Sequence, residues 1–105
     1  TFLAQCVMAN LPRPIFEFMA IPKRRWRWDM AWLGHGILLE INGGTWLGGG
    51  HSTGAGVRRD CEKNNAAVLD GWHPLSVTTD MVRDGSALKL IQEALVRFPI
   101  LKEER

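Results

Sequence analysis

The sequence predicts an α/β domain: a small mixed β-sheet with helices packed on it. Three observations predict it. Between Ile15 and Asn42, apolar and polar residues alternate in three short runs. Val57–Asp70 and Ser86–Arg97 instead place apolar residues at helical spacing. The resulting order, α–β–β–β–loop–α–β–α, puts a late strand after a crossover helix, parallel to an inner strand.

Each element has its own warrant. Phe2–Asn10 reads as a short helix that Pro12 and Pro14 end. Ile15–Ile21 reads as a strand with Ile15, Glu17, Met19 and Ile21 on one face and Phe16, Phe18 and Ala20 on the other. Pro22-Lys23 makes a turn. Arg24–Trp32 and Gly36–Asn42 follow as strands joined by a Leu33-Gly34-His35 turn, and all three strands are expected to be antiparallel neighbours. Gly43–Gly56 is a loop holding seven glycines, Trp46 and His51. Loops of that length are commonly functional or mobile. Val57–Asp70 is a helix with Val57, Cys61, Asn64 and Val68 on its buried stripe, Ala67 and Leu69 near it, and Gly71 as its C-terminal cap. Trp72–Thr78 is a short strand in which Pro74 argues for an edge. Thr79-Asp80 caps a short turn. Ser86 caps a last helix to Arg97, with Ala87, Leu90, Ile91, Ala94, Leu95 and Phe98 buried and Pro99 as its stop.

The chain has 105 residues, enough for one small domain. Hydrophobic residues make up 46%, which excludes global disorder. The net charge of +2 says little about nucleic acid, but its distribution says more. Lys23, Arg24, Arg25 and Arg27 cluster, and Arg58-Arg59 open the later helix. Such patches neutralise phosphates; equally, they protect a solvated strand edge. Cys6 and Cys61 without a secretory signal predict reduced thiols and a cytoplasmic setting. The three histidines have no zinc-ligand spacing with either cysteine. No apolar run approaches the ~20 residues that span a bilayer. Thr1 in first place predicts a processed, trimmed or partial chain.

The chemistry-bearing stretch is Trp28–Gly44. Alternation puts Arg25, Arg27, Asp29 and Ala31 on one face and Trp26, Trp28, Met30 and Trp32 on the other. In the next strand Leu38, Glu40 and Asn42 oppose Ile37, Leu39 and Ile41. A hairpin of the two would cover a core with one face and present Asp29, Glu40, Asn42 and Arg27 on the other. Converging carboxylates repel unless a cation lies between them. Hard oxygen donors suit Mg²⁺ or Mn²⁺, and a metal beside basic residues suits phosphodiester chemistry.

The order of elements and these residues resemble the PD-(D/E)xK, or restriction-endonuclease-like, nuclease superfamily. The closest likeness is to small phage and bacterial domains of the very-short-patch-repair and Holliday-junction-resolvase kinds. It runs from about Pro14 to Leu95. It rests on Asp29, on Glu40-Ile41-Asn42-Gly43-Gly44-Thr45-Trp46, on His51, on Arg59-Asp60-Cys61-Glu62-Lys63-Asn64 with Gly71-Trp72, and on Thr79-Asp80-Met81-Val82-Arg83. Asn42 departs from it, standing where relatives carry Asp, Glu or Lys, and His73–Val77 departs from the usual apolar strand.

The resemblance implies a single restriction-endonuclease-like domain, bacterial or phage-encoded, that hydrolyses DNA with Mg²⁺ or Mn²⁺. Asp29, Glu40, Asn42 and Glu17 would hold the metal. Lys63 would replace the missing motif lysine, and His51 would contact the phosphate or protonate the leaving group. Arg25, Arg27, Arg58 and Arg59 would hold the DNA backbone, and Trp46 would stack on a base. Cutting both strands would call for a homodimer or two nicks. Bland readings stand beside these. Asp29 and Glu40 can also be read as surface carboxylates paired with Arg25 or Arg27, Glu17 as a solvent-facing strand residue, and Asn42 as a turn residue. His51 reads as a solvated loop histidine, Lys63 as a partner of Glu62, and Cys61 as a buried small hydrophobe. Trp26, Trp28, Trp32 and Trp72 read as core. The alternative function is a catalytically weak or inactive DNA-binding or interaction module on the same fold. An unrelated structural protein would leave Asp29 and Glu40 far apart.

Overall fold

A computed structural model of the chain describes residues 1–43 and 54–100. Within them the order is α1 (Phe2–Met8), β1 (Ile15–Phe18), β2 (Trp28–Trp32), a 3₁₀ turn at Leu33–His35, β3 (Ile37–Asn42), α2 (Gly54–Leu69), β4 (His73–Thr78), α3 (Thr79–Asp84) and α4 (Ser86–Arg97). The strands form one mixed sheet in the order β1-β2-β3-β4. β1, β2 and β3 are antiparallel neighbours, and β4 runs parallel to β3 after the α2 crossover. The expected α/β architecture is therefore present: a four-stranded mixed sheet flanked by helices. No described helix is long and apolar enough to cross a membrane.

Both faces of this sheet are covered, where alternation predicted one covered face and one polar face. On one side Met30, Trp32, Ile37, Leu39 and Val77 pack against Phe2 and Cys6 of α1 and Ala87, Ile91 and Ala94 of α4. On the other, Trp28, Ala31 and Leu38 pack against Ala67 of α2, with Phe18, Trp26 and Trp72 at the margin. A parallel strand with a crossover helix imposes this second layer, because the helix must lie on one face of the sheet.

The alternation also changes phase. Trp28 packs with Ala31 and Leu38 on the α2 side, whereas Met30 and Trp32 face α1 and α4. The predicted grouping of Trp28 with Met30 and Trp32 is therefore wrong. Phe18 lies opposite Trp28 and joins it on the α2 side. Immediately before Phe18, Glu17 has a φ of 53°, a left-handed conformation that is uncommon for a residue with a Cβ. Both strands are also shorter than expected. β1 ends at Phe18 rather than Ile21, and β2 starts at Trp28 rather than Arg24. Arg25 and Arg27 thus lie outside β2 and do not share a strand face with Asp29.

α2 starts at Gly54, earlier than expected, and its predicted stripe faces outward. Val57 and Val68 are half-exposed, and Cys61 is exposed rather than buried. The inner face uses Ala67, fully buried, and Lys63. A small residue lets the helix approach the Trp28 and Leu38 side chains closely, which the larger Val57 and Val68 would prevent. At the other side of the sheet, Thr78 accepts the Met81 N–H and caps α3, a full short helix where a turn was expected. α4 is capped differently from expectation. Asp84 Oδ1 accepts from both the backbone N–H and the hydroxyl of Ser86, and Gly85 takes the N-cap position with a φ of 89°.

Two tests follow from this packing. Leu38→Ala removes a side chain with no exposure and should cost about 3 kcal/mol in denaturant unfolding. Val68→Ala, on the outward face of α2, should stay within about 0.5 kcal/mol, while Ala67→Leu should cost ~1–3 kcal/mol by overpacking. Equal losses for Val68→Ala and Ala67→Leu would mean that the faces of α2 are assigned wrongly. The second test is of pH. The two Ser86 hydrogen bonds hold the Asp84 carboxyl below its ordinary pKa. Its contribution is therefore present above the unfolded-state pKa and lost as pH falls through the lowered folded value. The stability difference between the native chain and Asp84→Ala should shrink over that acid range and be flat near neutrality.

Candidate functional site

The hairpin of β2 and β3 pairs Trp32 with Ile37, Ala31 with Leu38 and Met30 with Leu39. The next positions in that register are Asp29 and Glu40. There the ladder stops, and the Ile41 N–H instead donates to Asp29 Oδ2 at 2.6 Å. A side-chain carboxylate thus replaces a backbone carbonyl where β2 leaves β3. Charge-assisted bonds of this kind are the stronger class. From that point β3 pairs only with β4, setting Glu40 beside Ser76 and Asn42 beside Thr78. Glu17 falls in β1 between the pairs Phe16–Met30 and Phe18–Trp28, and so across from Asp29. Positions 17, 29 and 40 therefore stand in one row across three strands. Glu17 itself is exposed.

Glu40 meets a partner that the hairpin alone does not reveal. Lys63 Nζ donates to Glu40 Oε1 at 2.5 Å and to the Arg27 carbonyl at 2.6 Å. It also lies 4.6 Å from the centroid of the Trp28 ring, a cation–π distance. The Lys63 side chain is only 17% exposed and that of Glu40 30%, so this pair is more shielded than an ordinary surface bridge. The predicted bland partner of Lys63, Glu62, is taken by Arg58 at 3.1 Å and by Arg24 at 3.9 Å.

These groups line a cleft of about 120 Å³ between α2 and the ends of β3 and β4. Its walls are Trp28, Glu40, Asn42, Pro74 and Ser76 from the sheet and Asp60, Lys63 and Asn64 from α2. Helical spacing explains the second set, since positions three and four apart share a face. Asp60, Asn64 and Ser76 were not expected as site residues; Asn64 was expected on the buried stripe of the helix and instead lines the cleft. The signal available was that Lys63 and Asn64 follow Asp60 at that spacing.

The remaining expectations divide. Glu40, Asn42 and Lys63 come together in the cleft, with Asp29 on the adjacent strand position but bonded to the β3 backbone. Arg25, Arg27 and Arg59 are exposed and make no ion pair with a described residue, while Arg58 is committed to Glu62. Arg24 stacks on Trp26 at 4.0 Å. Trp46 and His51 lie outside the described residues, as does most of the glycine-rich loop. Glu40, Asp60, Asn42 and Ser76 offer hard oxygens, a donor set that fits Mg²⁺ or Mn²⁺. Among the described residues, no three His, Cys, Asp or Glu side chains are grouped to hold a metal. A small octahedral cation there would keep several of its waters, as Mg²⁺ commonly does.

No family model, curated protein or solved structure matches the chain.

The geometry can be tested through stability. Asp29→Ala leaves the Ile41 N–H without its acceptor and should cost about 1–3 kcal/mol, with Asp29→Asn recovering part of it. A double-mutant cycle on Glu40→Gln and Lys63→Met should give a coupling of about 1 kcal/mol or more. Additivity of the two substitutions would show that the pair does not interact in solution.

Proposed function

We propose that the protein is a metal-dependent nuclease of the restriction-endonuclease-like kind, acting on the phosphodiester backbone of DNA. The observation that carries this reading is the meeting of Glu40, Asn42 and Lys63 in one cleft, next to the strand position of Asp29. The resemblance picked the same residues from segments far apart in the chain. A lysine delivered by a helix stands where the motif's own position, Asn42, supplies no charge.

The roles follow from the chemistry of each group. Glu40 and Asp60 would supply negative oxygens in the cleft and Asn42 and Ser76 neutral ones, with Asp29 at the adjacent strand position and Glu17 at the outer end of that row. A bound Mg²⁺ or Mn²⁺ would acidify a water and polarise a phosphate oxygen. The Lys63 ammonium, delivered to the cleft by α2, would stabilise negative charge that builds on the phosphate in the transition state. Arg25, Arg27 and Arg59 are exposed cations that would contact backbone phosphates, with Arg58 available in exchange for Glu62.

A second reading is a DNA-binding module on the same fold with weak or no catalysis. It is favoured by the Glu40–Lys63 pair, which neutralises the acid, and by Asn42, which cannot act as a base. Plasmid nicking with Mg²⁺ and with Mn²⁺ separates the two. On the nuclease reading, cleavage depends on metal, falls by at least ~100-fold in Glu40→Gln and Lys63→Met, as expected when a transition-state contact is lost, and rises in Asn42→Asp. DNA binding by Arg25→Glu/Arg27→Glu should weaken for all sequences alike, and native binding should fall steeply with salt. Salt-sensitive binding without nicking in any variant leaves the binding module. Absence of binding at low salt removes both.

A further inference from the structure

The cation-binding position beside Glu40 is already filled by the chain's own lysine. Lys63 Nζ has two oxygen acceptors, Glu40 Oε1 and the Arg27 carbonyl, and an aromatic face beneath it. Its side chain is mostly shielded from water. A dication bound to Glu40 would therefore stand close to a fixed ammonium, in a cleft of about 120 Å³. Like charges a few ångströms apart repel strongly where water is largely excluded. Metal and ammonium would therefore compete for this carboxylate, on which Lys63 already holds Oε1.

We infer that Lys63 is the resident counter-cation of Glu40, that it and a divalent ion exclude one another there, and that a nucleic-acid phosphate opens the site by drawing Lys63 onto itself. This rests on the nuclease reading for the identity of the phosphate and adds a regulation of the same site. Lys63 suits the exchange. Its ammonium is a compact charge on a flexible four-carbon stem, so small rotations of that stem carry Nζ from one oxygen to another. A nucleic-acid phosphate offers Lys63 a new anionic acceptor. Glu40 is then left as an unpaired carboxylate facing Asn42 and Asp60, the arrangement that attracts a divalent ion. Linkage makes the effect reciprocal: DNA tightens metal binding, and metal tightens DNA binding by the same factor. Without DNA the protein holds its own cation and has little use for another.

The experiment has two arms. In the first, titration calorimetry measures Mn²⁺ binding to the native chain, Lys63→Gln, Lys63→Arg and Arg24→Gln, without DNA. Lys63→Gln keeps a donor for the Arg27 carbonyl but removes the charge, and should tighten Mn²⁺ roughly tenfold, within the usual range of such couplings. Lys63→Arg should stay near native. Arg24→Gln removes an equal charge that does not touch Glu40 and should change the affinity much less. In the second arm, reductive methylation read by peptide mapping follows Lys63, with Lys89 as internal reference, in the native protein. Saturating Mn²⁺ should speed labelling of Lys63 relative to Lys89, because the displaced ammonium becomes accessible, whereas a short phosphorothioate duplex should slow it, because a phosphate occupies the ammonium. The duplex should also tighten Mn²⁺ binding in the native chain, and less so in Lys63→Gln. Unchanged Mn²⁺ affinity in Lys63→Gln, an equal gain in Arg24→Gln, or Lys63 labelling indifferent to Mn²⁺ would each overturn the inference. Metal-dependent nicking with Lys63 labelling indifferent to Mn²⁺ removes the inference and keeps the nuclease reading. Competition at Glu40 without nicking does the reverse.

Discussion

The bond from the Ile41 N–H to Asp29 is the constraint on which the arrangement depends. It ends the β2–β3 ladder one residue before the register would otherwise put Asp29 and Glu40 in a backbone pair. A buried or half-buried N–H left unpaired is costly, so a carboxylate at this point permits the strands to part. Once they part, Trp28 turns to the α2 face, and the backbone carbonyl of Arg27 becomes available to Lys63. The cleft is the space that this divergence leaves between the sheet and α2. An ordinary hairpin with unbroken alternation would close it.

The second layer then decides what the cleft contains. Ala67 brings α2 down onto Leu38 and Trp28, and one turn earlier the same face delivers Lys63. A shielded ion pair contributes little net stability, because desolvation offsets the attraction. Its effect is positional. Glu40, the Arg27 carbonyl and the Trp28 ring fix the ammonium from three directions, and that fixes the pitch of α2 over the sheet. Packing and electrostatics here serve the same geometry, one through a methyl group and the other through a charge.

Much of this was legible in the sequence, and the failures have physical causes. Gly36–Asn42 was placed to within a residue because β3, an inner strand packed on both sides, reads as the apolar run Ile37-Leu38-Leu39 between turn residues. Ser86–Arg97 was legible because α4 has a single apolar stripe. α2 was misread because its outward face carries the larger apolar residues and its inward face an alanine and a lysine. Hydrophobic spacing alone selects the former. The phase change at Glu17 and Asp29 was invisible for another reason: alternation arguments assume regular φ and ψ, and nothing in Phe16-Glu17-Phe18 announces a left-handed residue. Asp29, Glu40 and Asn42 could be placed near one another from strand register. The contact of Lys63 with Glu40 spans 23 positions and rests on how a helix crosses a sheet, which periodicity does not encode. The likeness to a nuclease family pointed at that lysine, and helix geometry supplied its partner.

The outward turn of α2 has a practical consequence. Cys61 sits two residues before Lys63 yet emerges into solvent, while Cys6 is enclosed between α1 and α4, where burial pushes its thiol pKa up. Thiol reagents attack through the thiolate, so the two cysteines differ in both access and chemistry. A maleimide or spin label would therefore mark the native protein at one place, on the back of the helix whose front carries the cleft. A reporter there rides with the lysine-bearing element without obstructing it, and no cysteine has to be engineered in or out.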